Sequence, residues 1–360
     1  MPLVFSVVEI VVGALLIVIS LASAFRTVVL PRASFDPLTR GIFLGFRSAL
    51  LWIARRSDRL DRESVLSVHA PLGLLTLALA WAVGIIFGFT LLFLGTGSIS
   101  FEEAFTLAGS SFTTLGFVPP EDGIHEVLAI IAAIFGLGVV ALLISYLPTI
   151  YGLFSRREVV VADVSIKSGG VAWGPDLVRH LTRGDDTTRI DDMWVDWGHW
   201  LIALGETHTS EPSLNFFRSP RARRSWLAAA AAVLDAAILR NVVLAAPTSV
   251  RADMTYRSGV EAIVSIAHFF FVRPESEEEH YTLLTRKDFD EAADELADAG
   301  CPLVQDLDGA WAEFVKMRSA FEPHLLGLLA LIQPPPSPWC TDLLERPRPP
   351  LPQRRGRQIL

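Results

Sequence analysis

Cysteine is nearly absent: the 360 residues hold two, Cys301 and Cys340. That excludes a disulfide framework and any Cys-x-x-Cys chemistry, and it fits a reducing compartment for the half that carries them. Charge is scarce too. Charged residues make up 19% of the chain, and mean hydropathy is +0.42, where soluble domains carry about 25% charge. Residues 71–155 contain no Lys or Arg. Lysine stands at three positions only, 167, 287 and 316, so nearly all basic residues are Arg. With a net charge of −8 and no clustered basic face, nucleic-acid binding is excluded. Phosphate-cradling glycine loops and dinucleotide fingerprints are missing as well. No catalytic residue or cofactor site is expected, and the chain reads as a non-enzyme.

What is present is apolar and arranged in long runs. The first extends from Pro2 to about Leu30, broken only by Glu9 before Arg26. A cleaved signal would carry its positive charge before the apolar stretch, whereas here it follows. The run also exceeds the roughly 20 residues needed to span a bilayer. Further runs cover Pro71 to Gly95 and about Val127 to Phe154. Between the first two lies a loop with Arg26, Arg32, Arg40, Arg47, Arg55, Arg56, Arg59 and Arg62, and Arg156 and Arg157 follow the third. Positive loops stay in the cytoplasm. The expected topology is therefore a multi-pass protein of the cell membrane with its amino terminus outside and its carboxyl-terminal half cytoplasmic. Within the basic loop, apolar residues alternate with Arg at helical spacing, which suits an interfacial helix or a buried connector equally well.

Between the second and third runs, Ser100 followed by Glu103 is a capping-box pattern that predicts a helix from Phe101. The helix is too short to cross. A short helix followed by irregular backbone at membrane depth is a re-entrant segment, tolerated where it is buried in protein or lines an aqueous cavity. The irregular stretch is Thr113-Thr114-Leu115-Gly116-Phe117-Val118.

This string resembles the selectivity filter of potassium channels, whose rings of carbonyls replace an ion's hydration shell. The wider segment 64–157 is similar to the two-transmembrane pore module of that family, in particular to bacterial proteins like the two-pore-domain channels. Ser145-Tyr146-Leu147-Pro148-Thr149-Ile150-Tyr151 and Ser155-Arg156-Arg157-Glu158 share in the likeness. The resemblance implies that Thr114, Leu115, Gly116 and Phe117 supply carbonyls to K+, with Thr113 and Val118 flanking them. It further implies that Gly136, Gly138 and Pro148 mark where the inner helix bends. Such filters need four loops and this chain holds one, so the expected partners are three further copies in a homo-tetramer, the lipid bilayer and permeant monovalent cations. No bound cofactor beyond permeant K+ is implied. Where the family usually continues with Gly-Asp, Val118-Pro119 stand here, so the outer mouth must differ. Glu121 and Asp122 would form acidic rings around that mouth; alternatively they solvate a loop and start a helix.

The expected fold class is an all-α membrane protein: three transmembrane helices with a re-entrant pore helix and filter, plus a mainly helical cytoplasmic domain. The expected division is 1–30 first transmembrane helix, 31–70 basic connector, 71–157 pore module, 158–332 cytoplasmic domain, and 333–360 a Pro/Arg-rich disordered tail. Glu158 to Ile166 reads as a strand or as the end of the inner helix. Trp226 to Ala246 is apolar but interrupted by Asp235, Arg240 and Asn241, and it carries no second filter. Ser225 is placed to cap a helix there. His199, Glu206, His208 and Glu211 match no helical ligand pair. The first run lacks a regular Arg ladder, so no intrinsic voltage sensor is expected. Two other functions stay open: a single-repeat subunit of a potassium-uptake-like transporter, and a non-conducting membrane receptor, which leaves the re-entrant segment without a purpose.

Overall fold

The structure is a computed structural model that describes residues 3–29, 37–56, 68–97, 99–120, 122–182, 187–221, 223–274 and 281–345. Every regular element among them is helical, and the one β contact is an isolated bridge between Leu244 and Leu303. The chain divides into two compact units, Met1–Leu153 and Phe154–Leu360.

The first unit contains α1 (Leu3–Val28), α2 (Pro37–Arg56), α3 (His69–Thr96), α4 (Phe101–Phe112) and most of α5 (Gly123–Lys167). Three of these, α1, α3 and α5, are long and apolar enough to cross a membrane. At 26 residues, α1 is about 39 Å long, against a hydrocarbon core of about 30 Å. Between apolar helices in lipid the hydrophobic effect supplies no attraction, so contact rests on close packing and hydrogen bonds. The α1–α3 pair uses both. A Cβ on Gly13 would lie 2.6 Å from the carbonyl of Gly88, and one on Gly88 would lie 2.8 Å from the carbonyl of Gly13. Two turns away, Trp81 Nε1 donates to Ser23 Oγ at 2.9 Å. On α3, Ile85, Phe89 and Phe93 then pack with Ala104, Leu107, Ala108 and Phe112 of α4. Outward faces stay apolar, with Val8, Val11 and Leu15 of α1 and Ile130, Ile134, Leu137 and Ile144 of α5 exposed.

The helical spacing in the basic loop becomes α2. Phe46 stacks on His69 of α3 with ring centroids 6.1 Å apart, while Trp52 and Ile53 are exposed. Arg32, Arg59 and Arg62 lie outside the described residues.

The second unit begins within α5. Glu158 to Ile166 is helical, as one of the two expected alternatives had it. There follow α6 (Gly174–Thr182), α7 (Thr187–Ser210), α8 (Trp226–Val242), α9 (Val250–Phe269), α10 (Arg286–Asp298), α11 (Leu307–Ser319) and α12 (Glu322–Ile332), with 3-10 turns at Pro212–Phe216 and Thr341–Glu345. The apolar stretch after Ser225 is the central helix: every residue from Trp226 to Leu239 is buried. A helix that is apolar all round belongs in a core as readily as in lipid. Ser225 caps it by accepting from Leu227 N at 3.2 Å.

One expectation needs correction. Residues 334–338 are not part of a disordered tail: Pro335 and Ser337 are buried, and Trp339 and Cys340 belong to the core. Proline density misleads here, because the segment obtains its stability from side chains packed just after it. Residues 346–360 lie outside the described residues. Arg157, counted among the charges following the third span, is buried; it donates to the carbonyls of Leu214 and Phe217 at 2.8 and 2.7 Å and to Glu158. Arg156 remains exposed.

The core of this unit holds one guanidinium facing two carboxylates. Arg318 donates through Nη1 to Asp235, through Nε to Glu322 Oε2 at 2.5 Å and through Nη2 to the Trp339 carbonyl at 2.5 Å. Glu322 also accepts from Leu283 N at 2.6 Å and Thr282 Oγ1 at 2.7 Å. All three charged side chains are buried. Asp235 and Glu322 hold Arg318 in its charged form. Desolvation pushes the Asp235 carboxyl up from 3.8 to about 6, opposed by Arg318 and assisted by repulsion from Glu322 and Asp342.

A carboxyl whose pKa is higher in the folded state stabilises the fold most when protonated. Its contribution is complete below about pH 4 and is lost as pH rises through about 6, a change of about 3 kcal/mol for a shift of this size. Thermal unfolding of the wild type and Asp235→Asn between pH 4 and pH 7.5 should therefore show the wild type losing stability relative to the variant across that window. A pH-independent difference would mean that Asp235 is ionised throughout.

Candidate functional site

The site is the segment from Ser100 to Val118, built from a short helix and the backbone that leaves it. The predicted capping box is present: Glu103 N donates to Ser100 Oγ at 3.3 Å, and Ser100 N donates to Glu103 Oε2 at 2.7 Å. Its 12 residues make α4 about 18 Å long. Its far end is held against α5, where a Cβ on Gly136 would fall 1.8 Å from the Phe112 carbonyl oxygen. Gly136 thus meets a packing requirement at the point where the chain leaves α4, whatever bending the helix undergoes. Among the described residues, nothing outside its own stretch of helix lies within 4 Å of a Cβ built on Gly138, and α5 runs unbroken through Gly136, Gly138 and Pro148.

Beyond Phe112 the sign of φ alternates. Thr113 is right-handed at φ −81°, Thr114 has φ +58° and Gly116 has φ +68°, while Leu115 and Phe117 are not left-handed. Alternating hands turn successive amides to one side and the carbonyls to the other. The amides converge on a single residue. Leu115 N and Gly116 N donate to the Ser110 carbonyl at 2.9 and 3.4 Å, and Phe117 N and Val118 N donate to Ser110 Oγ at 3.1 and 3.4 Å. Ser110 is 1% exposed. Among the described residues, no donor reaches the carbonyl oxygens of Thr113 to Phe117. Backbone carbonyl oxygens without a donor are ligands of the kind a hard cation takes.

The six predicted residues, Thr113 to Val118, form one continuous stretch, with Leu115 and Phe117 exposed at 70% and 62%. The Thr113 hydroxyl donates back to the Gly109 carbonyl at 2.6 Å. Glu121 lies outside the described residues. Asp122 starts α5, accepting from Ile124 N at 3.0 Å and His125 N at 2.8 Å, and it keeps half of its side chain exposed. His199, Glu206, His208 and Glu211 are not brought together: His199 and Glu206 are exposed, whereas His208 is buried. His208 lies 3.3 Å from Arg157 Nη1 and against the Trp226 ring. Burial, then the Arg157 charge, hold its imidazole well below the ordinary range. Among the described residues, no group of three His, Cys, Asp or Glu side chains could hold a metal ion.

A glycine such as Gly116 takes a left-handed φ without strain. Thr114 is left-handed as well, and a β-branched residue there is strained by about 1–3 kcal/mol; no pattern in the sequence marks it. Ser110 was also missed. Its signal was the pair Ser110-Ser111 in the last turn of the helix, a residue type that readily bonds nearby backbone. No family model, curated protein or solved structure matches this chain.

Replacing Ser110 by Ala removes the acceptor for Phe117 N and Val118 N but leaves the carbonyl that serves Leu115 and Gly116. Loss of a buried acceptor costs about 1–3 kcal/mol. Amide hydrogen exchange at 117–118 should accelerate by about tenfold or more, with the α4 amides unchanged. Equal exchange in the two proteins would show that Ser110 does not hold this backbone.

Proposed function

We propose that this chain is one subunit of a homo-tetrameric cation channel of the cell membrane that conducts K+, with Thr113–Val118 as its selectivity filter. The observation that carries this reading is the backbone after α4, which ties the amides of Leu115 to Val118 to Ser110 and leaves the carbonyls of Thr113 to Phe117 without a donor among the described residues, at the end of a capped helix between two helices able to cross a membrane.

Four copies around one axis would place rings of carbonyls from Thr114, Leu115, Gly116 and Phe117 along a single file. Each ring replaces part of the hydration shell of a monovalent cation, and several rings in series let ions enter and leave. The Thr114 hydroxyl adds a ligand at the inner end. Val118 and Pro119 make the outer mouth differ from the Gly-Asp pattern, and Glu121 with Asp122 gathers cations there. The helix with Gly136, Gly138 and Pro148 lines the path on the cytoplasmic side, bending at these residues. Closed symmetry is what one loop per chain requires. The exposed apolar faces of α1 and α5 suit lipid and neighbouring subunits, and the basic α2 suits the cytoplasmic leaflet.

Gly116→Ala isolates the filter from the fold. Its left-handed φ costs about 1–2 kcal/mol for a residue with a Cβ, yet among the described residues no atom beyond its two chain neighbours lies within 4 Å of that Cβ. Native mass measurement should give tetramers for both wild type and variant. Reconstituted wild type should pass K+ in single-channel recordings, and the variant should not. A wild type found only as monomer or dimer, or a variant conducting with the wild-type K+/Na+ ratio, would overturn the assignment.

A further inference from the structure

We propose that the continuation of α5 beyond the membrane, from Ser155 to Ile166, is an interface between copies of this chain, where four such helices pack in parallel through Val159, Ala162 and Ile166. This interface rests on the tetrameric reading but not on conduction.

Beyond Phe154, α5 is apolar on two opposite faces. Val161 and Val164 are buried in the core of the second unit, and the Arg157 side chain is buried on the same side. Val159 points away from that core, about 200° around the helix from Val161. Ile166 falls one heptad further on the same face. These two side chains are exposed at 67% and 69%, although both are large and apolar. The charged residues stand on the flanks: Arg156 is exposed, and Lys167 pairs with Asp163. A helix apolar on opposite faces is covered on both.

Lipid does not cover the outer face throughout. Along the helix Ile166 lies about 18 Å beyond Phe154, where the apolar run ends. A headgroup layer is only about 7 Å thick. The face also belongs to a longer pattern. Counted from Val127, steps of three and four residues reach Leu137, Ile144, Tyr151, Val159 and Ile166 without meeting a charged residue. That mean step of about 3.5 is the period of helices that pair along their length.

The chemistry of the stripe selects a second copy over a different partner. Copies that share one membrane and one rotation axis bring the same residue of each chain to the same place. A charge there would face its own like charge, whereas a different protein could meet it with the opposite sign. The stripe is free of charge, while Arg156, Arg157, Glu158, Asp163 and Lys167 all fall beside it. Small and β-branched residues at Val159, Ala162 and Ile166 suit close contact between identical helices.

The test is oxidative cross-linking of the full chain in proteoliposomes with copper phenanthroline, read on non-reducing gels. The native cysteines are buried at 6% and 1%, so the wild type should stay uncross-linked. Val159→Cys and Ile166→Cys should each yield covalent dimers, because a disulfide needs Cβ atoms about 4 Å apart. Arg257→Cys, on the exposed side of α9, is the control for random collision and should give at least about fivefold less dimer. Adding Val159→Asp to Ile166→Cys places like charges at the contact and should reduce its dimer by a similar factor. Native mass measurement runs beside the gels. Wild-type tetramers without cross-links at 159 and 166 would overturn this interface and leave the tetramer standing. Wild-type monomers would overturn both. Equal cross-linking of Arg257→Cys, or no effect of Val159→Asp, would show that the stripe is not the contact.

Discussion

The first unit depends on one constraint: backbone that leaves helical geometry beside apolar helices must still bond its amides, because an unbonded amide without water is costly. Ser110 meets it for four consecutive residues with two oxygens. Everything around that residue follows. The capping box sets where α4 begins and hence where Ser110 falls. Ala104, Leu107, Ala108 and Phe112 seat the helix against α3. Gly136 lets α5 come close enough to the Phe112 carbonyl to hold the exit. With the amides of Leu115 to Val118 committed to Ser110, the carbonyls of Thr113 to Phe117 keep no donor among the described residues, and the strain at Thr114 is the cost of the alternating hands.

The second unit obeys the complementary rule, that a buried charge must be paired and hydrogen-bonded. Arg318 reaches Asp235 on α8, Glu322 on α12 and the carbonyl of Trp339, so three distant parts of the sequence meet at one guanidinium. This also explains why Asp235 interrupts an otherwise apolar helix. Removing one partner would strand the others, whereas hydrophobic packing alone would not choose the angle between α8 and α12.

Much of this was legible in the sequence. The three long apolar runs became helices of spanning length, and the Ser100–Glu103 pattern set the start of α4 to the residue. Ser225 capped the helix after it. Periodicity and caps are local signals, and they survive folding. What could not be read was contact between segments. Gly13 and Gly88 are two glycines among 25, and only their facing positions give them meaning. Likewise the residues after Gln333 looked unstructured because proline count says nothing of Trp339 packing against Arg318 and Phe314, or of Cys340 joining the core. Trp226 to Leu239 was ambiguous in principle, since a fully buried helix and a lipid-facing one have the same composition.

The scarcity of lysine acquires a partial physical reason at the two buried arginines. Arg157 bonds Glu158 and two carbonyls, and Arg318 bonds two carboxylates and a carbonyl. Each uses Nε and both terminal nitrogens in directions set by the planar fork. An ammonium is a compact, strongly hydrated point charge with three donors on a single atom. It could neither span acceptors on separate elements nor give up its water as readily. At these positions lysine would leave acceptors unbonded in the core. The exposed arginines carry no such requirement, so the bias in the rest of the chain has no explanation in its packing.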